Sequence, residues 1–286
     1  MTVEKERQAS DAGLAGWFSR SALRWSLTLL VATTWMSGAF FATYILLYFG
    51  GSFFRGHATL WNAGHPGLFD AATPLTTLFM ATHLLSGAGI LLLGPIQLLT
   101  RPRGTVSLLH RCAGRLYVLL AVIVGVVGLT FTLVKGTVGG PPMTFAFGIS
   151  GVLILVAAER TFTYARARRT ELHRTWAIRL FALAIGSWVY RMEYGLWYLA
   201  GLRHVGHTST FTGWFDQIMN FFFYVPNLIV AEWIIRKWET IDRPARRFGA
   251  AAVLLTTSIL VGVVTASVVA GRWAPRVVKA LTVSAH

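Results

Sequence analysis

The chain has 286 residues, 55% of them hydrophobic and only 13% charged, where a soluble domain carries about a quarter charged residues. The apolar residues fall in blocks longer than a buried core helix needs, which points to membrane spans. Twenty-six basic against 11 acidic residues leave a formal charge of +15. In a soluble chain that balance suggests nucleic acid. Here the basic residues sit in short loops between apolar runs, so the partner they imply is a lipid bilayer and not nucleic acid.

Residues 1–24 read as a polar, cytoplasmic N-terminal segment. The apolar run that follows is too long for the core of a signal peptide and has no convincing cleavage site, so it is expected to stay as a span. Seven spans are predicted: Trp25 to Phe49, Pro74 to Leu99, Leu109 to Leu133, Pro142 to Tyr164, Leu172 to Leu199, Thr212 to Trp238 and Ala250 to Ala270. Each covers the ~20 residues a helix needs to cross the hydrocarbon. Backbone amides in lipid must bond internally, and the runs show no strand-like alternation, so the fold class is all-α, a polytopic transmembrane helical bundle over residues 25–270 with a tail at 271–286.

Lys and Arg counting orients it. Lys5, Arg7, Arg20 and Arg24 precede the first span; at and around the second-to-third connection stand Arg101 and Arg103, with Arg111 and Arg115 just inside the helix; around the fourth-to-fifth stand Arg160, Arg166, Arg168, Arg169, Arg174 and Arg179; around the sixth-to-seventh stand Arg236, Lys237, Arg243, Arg246 and Arg247. The opposite loops hold only Arg55, Lys135 and Arg203. The N-terminus is therefore expected in the cytoplasm and the C-terminus outside; Arg272, Arg276 and Lys279 in the tail argue weakly the other way. The first external loop, Gly50 to Ala72, carries Phe53, Phe54, Trp61, Phe69, His57 and His65, and its aromatics are expected to anchor at headgroup level. The Gly139-Gly140-Pro141-Pro142 turn opens the fourth span, where proline is tolerated. The seventh span has no histidine, charge or aromatic. It reads as a lipid-facing appendage to a working core of spans two to six, about 74–238. The single cysteine, Cys112, reads as a small hydrophobe.

Ionisable residues at depth in a membrane carry a functional hypothesis. One layer lies at the cytoplasmic side: Gln97, His110, Arg111, Arg115, Glu159, His173, Arg174, Arg179 and Glu232. Even spans end there and odd spans begin there, so the topology brings these residues together. One reading pairs Arg115 and Arg179 with Glu159 and Glu232 to neutralise buried charge. The other makes them a site for a phosphate, a haem propionate or a quinone carbonyl. A deeper layer holds His83, which lies 17 residues before Thr100 and so roughly 25 Å from the cytoplasmic face. Arg191 stands at similar depth beside Glu193, with Asp216 and Asn220 reaching in from span six. Arg191 is expected to point into the bundle and pair with Glu193 or Asp216.

His83, His110 and His173 are each followed at i+4 by a small residue, Gly87, Gly114 and Ala177. Residues four apart share a helix face, so each leaves a flat gap that a porphyrin edge could use; the same small residues also allow close helix packing. His110 and His173 enter at one level and could ligate one haem b iron. His83 is too distant to share it, and a second haem would need His204 or His207. No H-E-x-x-H, phosphate-cradling glycine loop or cysteine cluster occurs.

The run His83-Leu84-Leu85-Ser86-Gly87, then Gly94-Pro95-Ile96-Gln97, His110-Arg111-Cys112-Ala113-Gly114-Arg115-Leu116-Tyr117 and His173-Arg174-Thr175-Trp176-Ala177-Ile178-Arg179 resembles a bacterial family of predicted membrane proteins, the domain of unknown function numbered twenty-three-oh-six. The resemblance covers spans two to five plus Arg191. It implies a helical bundle with repeated His-Arg motifs and prescribes no activity. The layout is also loosely similar to cytochrome b561-type haem bundles, but those carry two matched histidine pairs and this chain one pair and a single histidine.

Together these readings give a multi-pass protein of the bacterial inner (plasma) membrane. The leading expectation is a haem b- or quinone-binding electron-transfer protein, with His110 and His173 on the metal, Arg111, Arg115, Arg174, Arg179 and Gln97 around the cofactor, and a quinone or redox protein as partner. The alternatives are a small-solute or proton-coupled transporter built on His83, Arg191, Glu193, Asp216 and Asn220, and a non-catalytic assembly subunit.

Overall fold

A computed structural model describes residues 2–63, 67–99, 108–237 and 241–282, and every regular element among them is helical. Arg101, Arg103 and His65 lie outside the described residues, as does the predicted end of span six at Trp238. Helix α1 (Thr2–Tyr44) runs through a π-helical turn, Ile45–Gly50, into the short α2 (Gly51–Phe54). At ~1.5 Å per residue its 43 residues are about twice as long as the hydrocarbon is thick, so the predicted span is only its second half. Helices α3 (Pro74–Leu99), α4 (Leu108–Lys135) and α5 (Gly140–Arg166) follow the second to fourth predicted spans closely.

The fifth predicted span is two helices laid end to end, α6 (Thr170–Ala184) and α7 (Gly186–Leu199), parted at Ile185. Gly186 sits hard against Phe223: a Cβ there would come within 2.9 Å of that ring. The sixth is α8 (Trp214–Phe222) and α9 (Val225–Lys237). Pro226 accounts for this break, since it has no N–H and disfavours the helical conformation of the residue before it. Asn227 Nδ2 donates across the break to the Phe223 carbonyl at 2.7 Å. Among the described residues six runs are long and apolar enough to cross a bilayer: Gly13–Phe54, Pro74–Gln97, Leu108–Lys135, Gly140–Arg166, Trp214–Lys237 and Pro244–Thr282. The divided α6–α7 pair lies between the fourth and fifth of these.

Helix α3 packs on both α4 and α6, and α5 packs on the same two. Helices α4 and α6 therefore face each other across a four-helix core, with α3 and α5 between them. Small residues let α4 and α5 close up: side chains at Gly125 and Gly151 would collide with Leu155 and Leu129. Helix α8 lies on α5 and α7, and α9 on α6.

Two expectations need correction. Helix α10 (Pro244–Val268), the predicted appendage, packs along α1 and against α7. Thr265 donates to Ser37 Oγ at 2.6 Å, and Trp188 Nε1 donates to the same oxygen at 2.9 Å, so one serine joins α10, α1 and α7. Small hydroxyls in an apolar helix give no sequence signal for such a knot. The first external loop is likewise part of the core and not a headgroup belt. Trp61 is 1% exposed, with Nε1 donating to Phe49 O and Ser52 Oγ, and Phe53 stacks on its ring; Phe54 alone of this set stands far out, 78% exposed. The chain ends in α11 (Ala274–Thr282), which meets the same loop through Arg55 Nη1, 3.4 Å from Ala280 O. Tail residue Arg276 donates to Tyr44. The C-terminal helix thus lies at the loop end of the bundle, opposite the end where α1 begins.

Asp70 ties this loop to the end of α4. Lys135 Nζ donates to its carboxylate at 2.6 Å, and Ala72 N and Thr73 Oγ1 add bonds at 2.9 Å. The Lys135 bond, then these two, hold the carboxyl down at about 2 from an ordinary value near 4. A group depressed in this way contributes stability above its unfolded value and loses it as the pH falls through the folded one. The melting temperature of purified protein in detergent should therefore drop between about pH 4 and pH 2. Asp70→Asn should remove that part of the slope; an identical slope in the variant would contradict the assignment.

Candidate functional site

The end of the bundle carrying the two His-Arg motifs brings His110 and His173 near each other. The motifs open α4 and α6, the two helices that face across the core, and the charge of His173 acts on His110. His173 Nδ1 lies 3.0 Å from the Thr161 carbonyl of α5. A carbonyl only accepts, so Nδ1 carries the proton and Nε2 is left with its lone pair. Metal-binding histidines are held in the same way, one ring nitrogen fixed by a backbone or carboxylate acceptor and the other on the metal.

The surrounding predicted residues divide. Arg179 Nε donates to Glu232 at 2.5 Å, Arg236 takes the other carboxylate oxygen at 3.2 Å, and the Arg179 guanidinium lies 4.7 Å from the Trp176 ring centre. This is the charge-neutralising pairing expected of α6 with α9. The parallel pairing of Arg115 with Glu159 is not formed: Glu159 bonds its own-helix neighbours Arg160 and Thr163, and Arg115, like Arg111 and Arg174, is exposed. Of the gaps beside the histidines, the one at Gly114 is filled, because Gln97 Oε1 lies 3.2 Å from where its Cβ would be. The Gln97 amide nitrogen and the Tyr117 hydroxyl, both buried and both on this α3–α4 seam, have no hydrogen-bond partner among the described residues.

At mid-span, His83 Nδ1 donates to the Val124 carbonyl of α4 at 3.1 Å, and the ring lies against Gly128. The Arg191 charge acts on it. Arg191 does not pair with Glu193 or Asp216. Its Nη1 donates to Ser187 O at 2.7 Å and Ser187 Oγ at 3.0 Å, and its guanidinium lies 4.5 Å from the Phe41 ring centre. Asp216 is taken by other donors, and Glu193 has one buried oxygen without a partner.

Asp216 is 0% exposed and holds the loop end of α8 together. Its Oδ1 accepts from Tyr194 at 2.6 Å and from His207 Nδ1 at 2.7 Å; its Oδ2 accepts from Thr208 N and Gly213 N, each at 3.0 Å. The ring's other nitrogen meets Tyr198 Oη at 2.9 Å, and Tyr190 donates to Tyr194 at 3.2 Å. Asp216 is therefore a capping carboxylate at the third position of α8, with a Tyr–Asp–His–Tyr network built on it. His207, weighed from sequence only as a haem ligand, is its main side-chain partner; the Gly213-x-x-Asp216 spacing ahead of an apolar run was the available signal. Asn220, one turn further along α8, is also 0% exposed, and neither of its amide atoms finds a partner. Among the described residues no group of three or more His, Cys, Asp and Glu side chains could hold a bare metal ion.

Fold and sites together define a polytopic helical membrane protein with polar residues held at three depths: the motif end, mid-span and the loop end. Residues 80–235, more than half the chain, match the family described as Predicted membrane protein (DUF2306), and the chain belongs to that family. The matched stretch contains every site residue expected from sequence and leaves out α1 and α10, which pack on each other. No curated protein and no solved structure matches the chain.

Removing a buried carboxylate that satisfies four donors leaves all four orphaned. Asp216→Ala is expected to cost about 3–5 kcal/mol of stability, the range for breaking a buried pair, while Tyr198→Phe, which deletes one bond at the edge of the network, costs about 1 kcal/mol. Denaturant titration followed by tryptophan fluorescence measures both. A small loss in Asp216→Ala would show that the network does not hold this end.

Proposed function

We propose that this protein is a membrane redox protein that binds haem b at the motif end, where His110 and His173 would hold it. The observation that carries the reading is the placement of one histidine on each of two helices facing across a four-helix core, both at the end where those helices begin and close enough to interact. Bundle cores of this kind house haem between facing helices. The residues present fit the group in donor chemistry: His173 has its Nδ1 proton fixed on the Thr161 carbonyl and Nε2 left over. Two buried polar atoms, Gln97 Nε2 and Tyr117 Oη, stand nearby without partners. Gln97 now fills the gap at Gly114, so this side chain has to turn for a porphyrin edge to pass, and its unmet amide makes that turn cheap.

Bound there, the group would supply one-electron chemistry. The chain's own part is to orient His173 through Thr161 and to present cations to two propionates. Arg115 is exposed and ready for this role. Arg179 is half-buried and already shared with Glu232, so it serves as a fixed positive wall. The loop charges support a cytoplasmic position for this end, where a reduced partner could deliver electrons.

A visible spectrum of protein expressed with ample haem, followed by a pyridine haemochrome assay, tests the proposal. The expected result is a low-spin Soret band near one haem per chain that is lost in His110→Ala and in His173→Ala and kept in His83→Ala. Absence of a Soret band, or its survival in both single variants, would overturn it.

A further inference from the structure

We propose that Arg191, His83 and Asn220 form a second site, at mid-bilayer, for the oxygen-bearing headgroup of an amphiphile drawn from the membrane: a quinone carbonyl or a carboxylate. The argument starts from Arg191. A guanidinium carries five N–H donors, and within the described residues this one uses Nη1 alone, on the backbone and hydroxyl of Ser187. The π face of Phe41 covers one side. No carboxylate lies within ion-pair distance of it in the described part of the chain, whereas the part-buried Arg179 meets Glu232 directly. A charge this far from either surface cannot snorkel, and it is retained in membranes mainly where it meets a partner or a polar cavity. The remaining donors of Arg191 call for acceptor oxygens.

Three further observations place polar capacity and space at the same level. His83 has its Nδ1 proton on the Val124 carbonyl, so Nε2 is an unengaged acceptor, and it lies within the field of Arg191. Asn220 is wholly buried with donor and acceptor both unmet. It stands one turn inward from Asp216 on α8, as Tyr190 stands one turn inward from Tyr194 on α7, and Tyr194 and Asp216 are bonded to each other. Asn220 is thus level with Tyr190 and its neighbour Arg191. The space lies on α3: a side chain at Gly87, one turn from His83, would meet nothing within 4 Å. Gly94, two turns further along that face, looks onto Phe181 of α6 and Tyr117 of α4, so the open face turns into the bundle and not toward lipid.

One strong donor, one acceptor and one amide at one level suit a flat headgroup with oxygens on its edge. A quinone or quinol would set one oxygen on Arg191 and the other toward His83; a carboxylate would take the guanidinium fork with both oxygens. A phosphate headgroup, anchored at the surface by its charge, does not reach this depth. The site is separate from the haem reading and holds whether or not haem binds.

The test titrates the purified full-length chain in detergent with a short-chain ubiquinone and, separately, with octanoate, reading intrinsic tryptophan fluorescence; Trp188 is buried one turn from Arg191. Saturation by the quinone alone assigns a carbonyl ligand, by octanoate alone a carboxylate, and by both the shared chemistry. In each case Arg191→Gln should weaken binding at least tenfold and His83→Gln at least threefold. Arg191→Lys, which keeps the charge and loses the fork, is read by the same tenfold criterion if Arg191→Gln does not fold. No saturation by either probe, or unchanged affinity in a folded Arg191 variant, would overturn the proposal.

Discussion

Hydrocarbon offers no hydrogen bonds, so every polar group in this bundle has to be answered by another part of the chain or carried to an end. The structure follows that constraint closely. Thr130, Thr161, Thr257 and Ser258 all return their hydroxyls to the carbonyl four residues back. Ser37 gathers α7 and α10 onto α1. Asp216, the most deeply buried acid, is met by four donors. Against that background the buried groups that find no partner among the described residues stand out: Gln97 Nε2 and Tyr117 Oη at the motif end, and Asn220 with one Glu193 oxygen toward mid-span. An unmet buried polar group is rare in folded proteins and calls for an explanation. Here the groups fall at two depths, and each depth also holds a histidine with one ring nitrogen fixed and the other open.

The two depths differ in kind. At the motif end the histidines are paired across α4 and α6, and the cations around them are exposed or already matched by acids. That suits a cofactor whose acidic edge lies toward water. At mid-span a single histidine lies within reach of a guanidinium that meets no acid among the described residues, which suits a ligand arriving from the lipid. The loop end is fully answered by its own side chains, and its Tyr–Asp–His–Tyr network is a fastening for α7, α8 and the turn between them.

Most of the helical plan was legible in the sequence, because hydrophobic length is set by the bilayer and loop charge by its two faces. The predicted spans at Pro74, Leu109 and Pro142 begin within two residues of α3, α4 and α5. What escaped was packing. The division at Ile185 depends on Phe223 pressing on Gly186, two residues 37 positions apart. The place of α10 against α1 rests on Ser37 and Thr265, which look like filler in any apolar run. Trp61 reads as a headgroup anchor until the loop is seen to fold back over Phe49 and Ser52. Arg191 has a partner other than those expected, since the obvious acids in sequence, Glu193 and Asp216, point elsewhere and the serine one turn behind it does not advertise itself. The family match over residues 80–235 supports the set of motifs as a unit but says nothing of their chemistry.

The account rests on the two His-Arg motifs opening at one face of the membrane, on helices held opposite each other by α3 and α5. Single cysteines replacing Arg111 and Arg174, both exposed, in a Cys112→Ser background can be probed with a membrane-impermeant maleimide on intact cells and on inside-out vesicles. Both positions should label in the vesicles and neither on the cells. Labelling of the two from opposite sides would separate the histidines by the thickness of the bilayer and contradict the shared site.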